Sequence, residues 1–309
     1  RAGGASMRNV LVPLDGTDLA AAILPDARRL AGQNGELVLV RHVADGQADG
    51  FDPQRTRQME VDAAQLYLST VAQALRAEGM QVRTQPLVSR DAAVAIDEAA
   101  QLFGADVIAV ATHGRSAAER WHSGSIAWRA LLRSTVPVLI RHVDPDKPFA
   151  YPSETGRRRI MVPLDGSPLA ESALPLAREL AGEWDALIWL VRVVGRSSDD
   201  TTSSLSDAEA YLDGKAEAMP GDVHTAVMEG STVESLVRTL QEHDITDVVM
   251  SSHGRTAVSR AIVGSVLDDL IHSLRCPLVV VPMLAAVPSG SEGPGAGFGF
   301  KEHPGAYGE

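Results

Sequence analysis

Cysteine occurs once in the chain, at Cys276. No internal disulfide can form, so the fold must hold without one, as expected in a reducing cytoplasm. That thiol sits between Arg275 and Pro277 ahead of an apolar run and reads as a buried structural cysteine. Aromatic residues make up only 4% of the chain. No stretch approaches the roughly 18 consecutive apolar residues that a membrane-spanning helix needs, so no membrane partner is expected. Residues 1–6 lack the apolar core of a secretion signal, and Met7 reads as a natural start. Basic residues are outnumbered, 28 Lys and Arg against 40 Asp and Glu, for a net charge of −12. Such a chain repels phosphate backbones, which argues against a general nucleic-acid role. A small anion held by a local array of backbone N–H groups escapes that objection. The sequence also lacks a Gly-x-Ser-x-Gly nucleophile motif, a phosphate-loop Gly-Lys-Ser/Thr and any zinc-ligand spacing.

What the sequence has is a repeat. Residues 10–32 and 160–182 agree at fourteen of 23 positions with a constant offset of 150. A second block recurs at offset 140: His113-Gly114-Arg115 with His253-Gly254-Arg255, and Gly124-Ser125 with Gly264-Ser265. The second copy is therefore ten residues shorter between the blocks, and the loss is expected just after Val194. The 309 residues divide into two domains, 7–144 and 157–284, each of a normal size. The intervening segment, 144–158, is rich in Pro and charge, as linkers are. The tail, 285–309, is loaded with Gly, Pro and Ser and is expected to be disordered.

Within copy one, short apolar runs alternate with helical periodicity. Strands are predicted at 9–14, 36–43, 80–88, 107–111 and 137–143. Helices are predicted at 18–31, 54–78, 92–103 and 125–133, the second with Met59, Leu66, Val71 and Leu75 on one side. Copy two repeats the scheme. Near-continuous apolar strands alternating with helices make an α/β fold: two tandem Rossmann-like, doubly wound domains, each with a five-stranded parallel sheet. The last strands, 137–143 and 277–283, are apolar edges that need cover. They are expected to pair or pack between the copies as a pseudo-dimer, with a further homodimer left open.

In such sheets ligands bind beyond the carboxyl ends of the strands, at the switch in strand order. Asp15 and Asp165 follow the first strand of each copy, and the glycine loop follows the fourth. Glycines let a phosphate approach the backbone, and a following helix N-terminus offers free N–H groups. The first-strand carboxylate sits across the crevice, suited to a ribose, an adenine or a divalent cation. His113 and His253 are read as shaping the loop through a backbone hydrogen bond. The aspartates also have a plainer reading, as caps of the next helix.

Val-Pro-Leu-Asp-Gly at 12–16 and 162–166, with the two glycine loops, resembles the universal stress protein family, in its ATP-binding branch, over most of both copies. The resemblance implies ATP as ligand, with Mg²⁺ as its companion cation. It implies that Pro13, Leu14, Asp15, Val43, Val110 and Ala111 hold adenine and ribose in copy one, and that Gly114, Gly124, Ser125 and Ile126 hold the phosphates. In copy two the matching residues are Pro163, Leu164, Asp165, Val193, Met250, Ser251, Gly254, Gly264, Ser265 and Val266. The first glycine of the family's loop is Ala111 in one copy and Ser251 in the other. The implied function is a cytoplasmic, regulatory adenine-nucleotide-binding protein of the stress response, a slow ATPase at most, with no catalytic residue and no metal ligand assigned. Two other readings stand beside it. One is a stress-family interaction scaffold that binds no nucleotide. The other is an adenylating enzyme of similar fold, which would need a pyrophosphate loop that Asp15-Gly16-Thr17-Asp18 does not supply.

Overall fold

The computed structural model describes residues 8–45, 52–112, 126–143, 156–195, 201–254 and 264–283, without the side chains of 126–128 and 201–204. Copy one runs β1 (Asn9–Pro13), α1 (Asp18–Ala21), α2 (Leu24–Ala31), β2 (Glu36–Ala44), α3 (Pro53–Ala77), β3 (Gln81–Ser89), α4 (Ala92–Phe103), β4 (Val107–Thr112), α5 (Ile126–Arg133) and β5 (Val138–His142). Copy two runs β6 (Arg159–Pro163), α6 (Pro168–Glu171), α7 (Leu174–Trp184), β7 (Leu187–Val194), α8 (Thr201–Glu217), β8 (Val223–Glu229), α9 (Thr232–Glu242), β9 (Asp247–Ser251), α10 (Ser265–Ser273) and β10 (Leu278–Val281).

The strands form one sheet in the order β3-β2-β1-β4-β5-β10-β9-β6-β7-β8. Each half is parallel and reverses its strand order beside its first strand, β1 or β6. The halves join through one antiparallel contact, β5 against β10, with Leu139 opposite Val279. Side chains alternate between faces with period two, and two apolar layers result. Val10, Leu37 and Leu39 share one with Ile160, Ile188 and Leu190. Leu11, Val38 and Val40 share the other with Met161 and Val191. Both layers run through the seam, where Leu139 and Val279 serve one face and Ile140 and Leu278 the other. Fully burying one such side chain contributes about 1.5–3 kcal/mol, so the two copies share a core as well as a ladder.

Two helix readings need correction. The single helix expected over 18–31 is two, α1 and α2, and the same break separates α6 from α7. Pro25 and Pro175 lie in the first turns of α2 and α7, where a missing N–H costs nothing but cannot serve the preceding helix. In α3 the buried residues are Ala64, Leu68, Ala72 and Leu75, whereas Met59 and Leu66 are 64% and 70% exposed. Leu66 and Leu68 are two positions apart, about 200° around a helix, so only one can face the sheet. The deficit of copy two is mostly helix: α3 has 25 residues and α8 has 17.

Candidate functional site

Each first strand ends in an aspartate turn. Asp15 Oδ1 accepts from the Thr17 amide and hydroxyl at 2.8 and 2.6 Å. Asp165 Oδ1 does the same with Ser167, at 2.9 and 2.6 Å. Gly16 and Gly166 make the turn at φ of +94° and +86°, a region closed to most side chains. The helix caps are the hydroxyls of Thr17 and Ser167, which accept from the Ala20 and Ala170 amides. The aspartates therefore brace the capping residues and are not caps themselves. This leaves the Oδ2 edge of Asp165 toward β9, against Gly254.

All ten residues carried over to copy two line one cavity of about 290 Å³. It opens between the carboxyl ends of β6 and β9, where the strand order reverses. Pro163, Leu164 and Asp165 come from the end of β6 and Val193 from β7. Met250, Ser251 and Gly254 come from the end of β9, and Gly264, Ser265 and Val266 from the start of α10. Val191, Thr232, Leu236, Ser252 and His253 also line it, and the sequence reading gave them no ligand contact. Val191 is legible in retrospect, two positions before Val193 on the same strand face.

The two described loop glycines act through close approach and not through an unusual backbone torsion. Neither Gly254 nor Gly264 has a positive φ, and Gly264 sits at φ −59° and ψ 139°. Their contribution is the missing Cβ. One added at Gly254 would come within 3.0 Å of Asp165 Oδ2, a distance that real Cβ atoms essentially never show. One added at Gly264 would meet, among the described residues, only the Ser252 carbonyl, at 3.6 Å. Gly264 is also the N-cap of α10 and supplies no side chain to cap it. The first amides of α10, on Ser265, Val266 and Leu267, thus lie at the cavity wall, at the positive end of the helix dipole. Ser265 adds a hydroxyl. His253 is buried, and its Nδ1 lies 2.9 Å from Ser252 Oγ, so its ring is tied to a side-chain hydroxyl, not to the backbone.

In copy one Leu14 is buried and its amide donates to Val40 O at 2.8 Å, as Leu164 donates to Val191 O. Pro13 and Asp15 flank it. Val110 and Ala111 lie at the end of β4, and Ile126 starts α5. Gly114, Gly124, Ser125 and His113 fall outside the described residues. The match of Val43 with Val193 does not survive the sheet register. Pro13 faces Val40 and Pro163 faces Val191, so the partner of Val193 in copy one is His42, and Val43 points to the opposite face. α7 is three residues longer than α2 and the turn after it two residues shorter, and the net gain of one residue causes the slip. His42 Nε2 donates to Ser89 O at 2.9 Å, and the Arg41 guanidinium lies over the Tyr67 ring.

The sequence model of the universal stress protein family matches residues 7–142 and 156–282. The chain belongs to the universal stress protein family. A universal stress protein of Methanocaldococcus jannaschii is 28% identical over 138 residues, 40% of this chain and 81% of that one. One from Mycobacterium tuberculosis is 27% identical over 190 residues, 57% of this chain and 61% of the relative. In three dimensions the chain resembles a universal stress protein from Archaeoglobus fulgidus, with a TM-score of 0.64 at 21% identity, covering 89% of this chain and 96% of the other. At that identity the likeness speaks for the fold of this universal stress protein. Among the described residues, no helix is long and apolar enough to cross a membrane.

Proposed function

We propose that this universal stress protein is a regulatory adenine-nucleotide-binding module and that the copy-two crevice takes ATP. The observation that carries the reading is the wall made by α10: first-turn amides with no side-chain cap among the described residues, and Ser265, behind a glycine N-cap. These are the groups that hold a polyphosphate. Met250, Val191 and Val193 supply apolar surface for a base, and Asp165 faces them with a carboxylate suited to a ribose hydroxyl or to Mg²⁺. The described lining residues include no lysine of the phosphate-loop kind, and turnover is expected to be slow or nil. The proposed setting is the cytoplasm.

Calorimetric titration of the full chain with Mg²⁺-ATP tests this. The wild type should bind, and the stoichiometry counts the sites. Among the described residues the methyl of Gly264→Ala meets Ser252 O alone, at van der Waals distance. It should weaken binding at copy two by about tenfold or more, roughly 1.4 kcal/mol. No heat and no thermal shift with ATP in the wild type would replace this reading with that of a scaffold acting through its surfaces.

A further inference from the structure

The ladder between the copies is its own mirror. Val138, Leu139 and Ile140 face Val280, Val279 and Leu278. Val138 and Leu278 hold the same position in the two copies, since Ile108 pairs with Val138 as Val248 pairs with Leu278. The pairing is therefore centred on Leu139 and Val279, and two like copies could form the same hydrogen bonds. Backbone geometry does not distinguish an unlike pair from a like one.

The charges do. Arg29 on α2 reaches across the seam to Asp247 on β9, with Nη2 2.5 Å from Oδ1, and Asp247 is 1% exposed. Thr246 Oγ1 donates to the other carboxylate oxygen at 2.7 Å. Arg141 Nη1 donates to Arg275 O across the seam at 2.9 Å, while its Nε holds the buried Asp26 at 3.0 Å. None of these charges has a matching counterpart. Copy two has Glu179 where copy one has Arg29, Leu176 for Asp26 and Val281 for Arg141, and copy one has Val107 for Asp247. At the mirror position Glu179 faces acid: burial, then Glu183 and Asp106, push its carboxyl above the usual range.

We propose that this ion pair makes the seam selective, so that a first copy accepts a second copy and neither accepts its like. In a pair of second copies, each Asp247 would be buried opposite Glu179 of its mate, carboxylate against carboxylate. In a pair of first copies, each Arg29 would face Val107, exchanging the buried Asp247 for the half-buried Asp106 of its mate and keeping Asp26 of its own helix at 3.5 Å. A buried charge that loses its partner is strongly disfavoured, whereas an apolar pair in its place is not.

The full chain carrying a protease site between residues 144 and 155 tests this. It is folded, cut, unfolded in urea and refolded, and native mass spectrometry counts like and unlike pairs. Wild-type halves should give unlike pairs, about tenfold or more above their statistical share. In Arg29→Leu with Asp247→Leu, like pairs should appear. Statistical pairing in the wild type, or undiminished selectivity in the double variant, overturns the proposal. The intact chain provides a second measurement that needs no re-pairing. Arg29→Leu alone should lower the urea midpoint, and adding Asp247→Leu should recover at least half of the loss. Equal midpoints for wild type and Arg29→Leu also overturn it.

Discussion

Replacing Gly254 with alanine isolates one contact of the crevice. The backbone at 254 is not in the positive-φ region, so the substitution carries no torsional penalty of the kind expected at Gly16. Its cost is the collision with Asp165 Oδ2. Asp165 cannot swing aside freely, because its Oδ1 is held by the Ser167 amide at 2.9 Å and by the Ser167 hydroxyl at 2.6 Å. Turning away breaks at least one of these bonds, each worth about 1.5–3 kcal/mol to a charged acceptor. Staying put costs the overpacking of one methyl, about 1–3 kcal/mol. Either route predicts a loss of about 2 kcal/mol, seen as a fall in Tm of about 4–8 °C for halves of this size. Urea unfolding of Gly254→Ala, Asp165→Ala and the double variant is the assay. In the Asp165→Ala background the clash is gone, and Gly254→Ala should cost less than about 0.5 kcal/mol. An equal cost in both backgrounds would show that the contact with Asp165 is not what requires glycine.

The other predictions concern packing and titration. Leu68→Ala should destabilise by about 2–5 kcal/mol, because Leu68 is fully buried; Leu66→Ala, 70% exposed at the start, should stay within about 0.5 kcal/mol by the same unfolding assay. Cys276 is 1% exposed, and burial raises its thiol pKa, with Asp247 adding to the shift. It should therefore resist a thiol-specific chromophoric reagent in the native protein and react fully once unfolded. The Tyr211 hydroxyl donates to Glu171 Oε1 at 2.9 Å, and burial followed by that hydrogen bond pushes its pKa up from the ordinary 10.0. The native state then binds this proton more tightly than the unfolded state. Its stabilising contribution is intact below pH 10 and falls as the pH rises above it. Burial also raises Tyr67, so alkaline difference absorbance should show two tyrosines ionising late, and Tyr211→Phe should remove the later of the two.

The internal repeat made most of this fold legible. A match that spans a strand, a turn and a helix carries the turn chemistry with it, so the crevice residues of copy two could be named from copy one. What the repeat hid was local. An offset of 150 holds from Val12 through Gly32, but α7 outlasts α2 by three residues and its turn is two shorter, so β7 begins one residue later than that offset places it. In a strand one residue is one face. Val43 was therefore matched where His42 stands. The α3 stripe failed for a different reason. Periodicity gives candidate faces, and alanines carry little hydrophobic signal, yet Ala64 and Ala72 are the residues whose small size lets the helix settle on the sheet. Composition cannot separate a glycine needed for its φ, such as Gly16, from one needed for its missing Cβ, such as Gly254. The seam charges, finally, come together over separations such as the 218 positions between Arg29 and Asp247, beyond any local pattern.

A two-fold homodimer must place the same residue on both sides of its axis. It cannot set an arginine opposite an aspartate without repeating that pair at the mirror position. Two copies in one chain are free of this constraint, and this sequence has used the freedom at two places. At the seam, one diagonal carries Arg29 with Asp247, and the other carries Glu179 near Asp106. At the crevice, Val193 presents methyl groups where His42 presents an imidazole bonded to Ser89. The crevice change lies on strands whose ladders match in the two copies, β1–β2 and β6–β7. These two divergences are of side chains that a symmetric dimer would have been forced to duplicate. On that ground the two crevices are expected to differ in ligand affinity. His42→Val, which gives copy one the side chain of copy two on an unchanged strand, is the substitution that should bring its titration with Mg²⁺-ATP toward that of copy two. An unchanged first-copy isotherm would place the difference elsewhere than at this position.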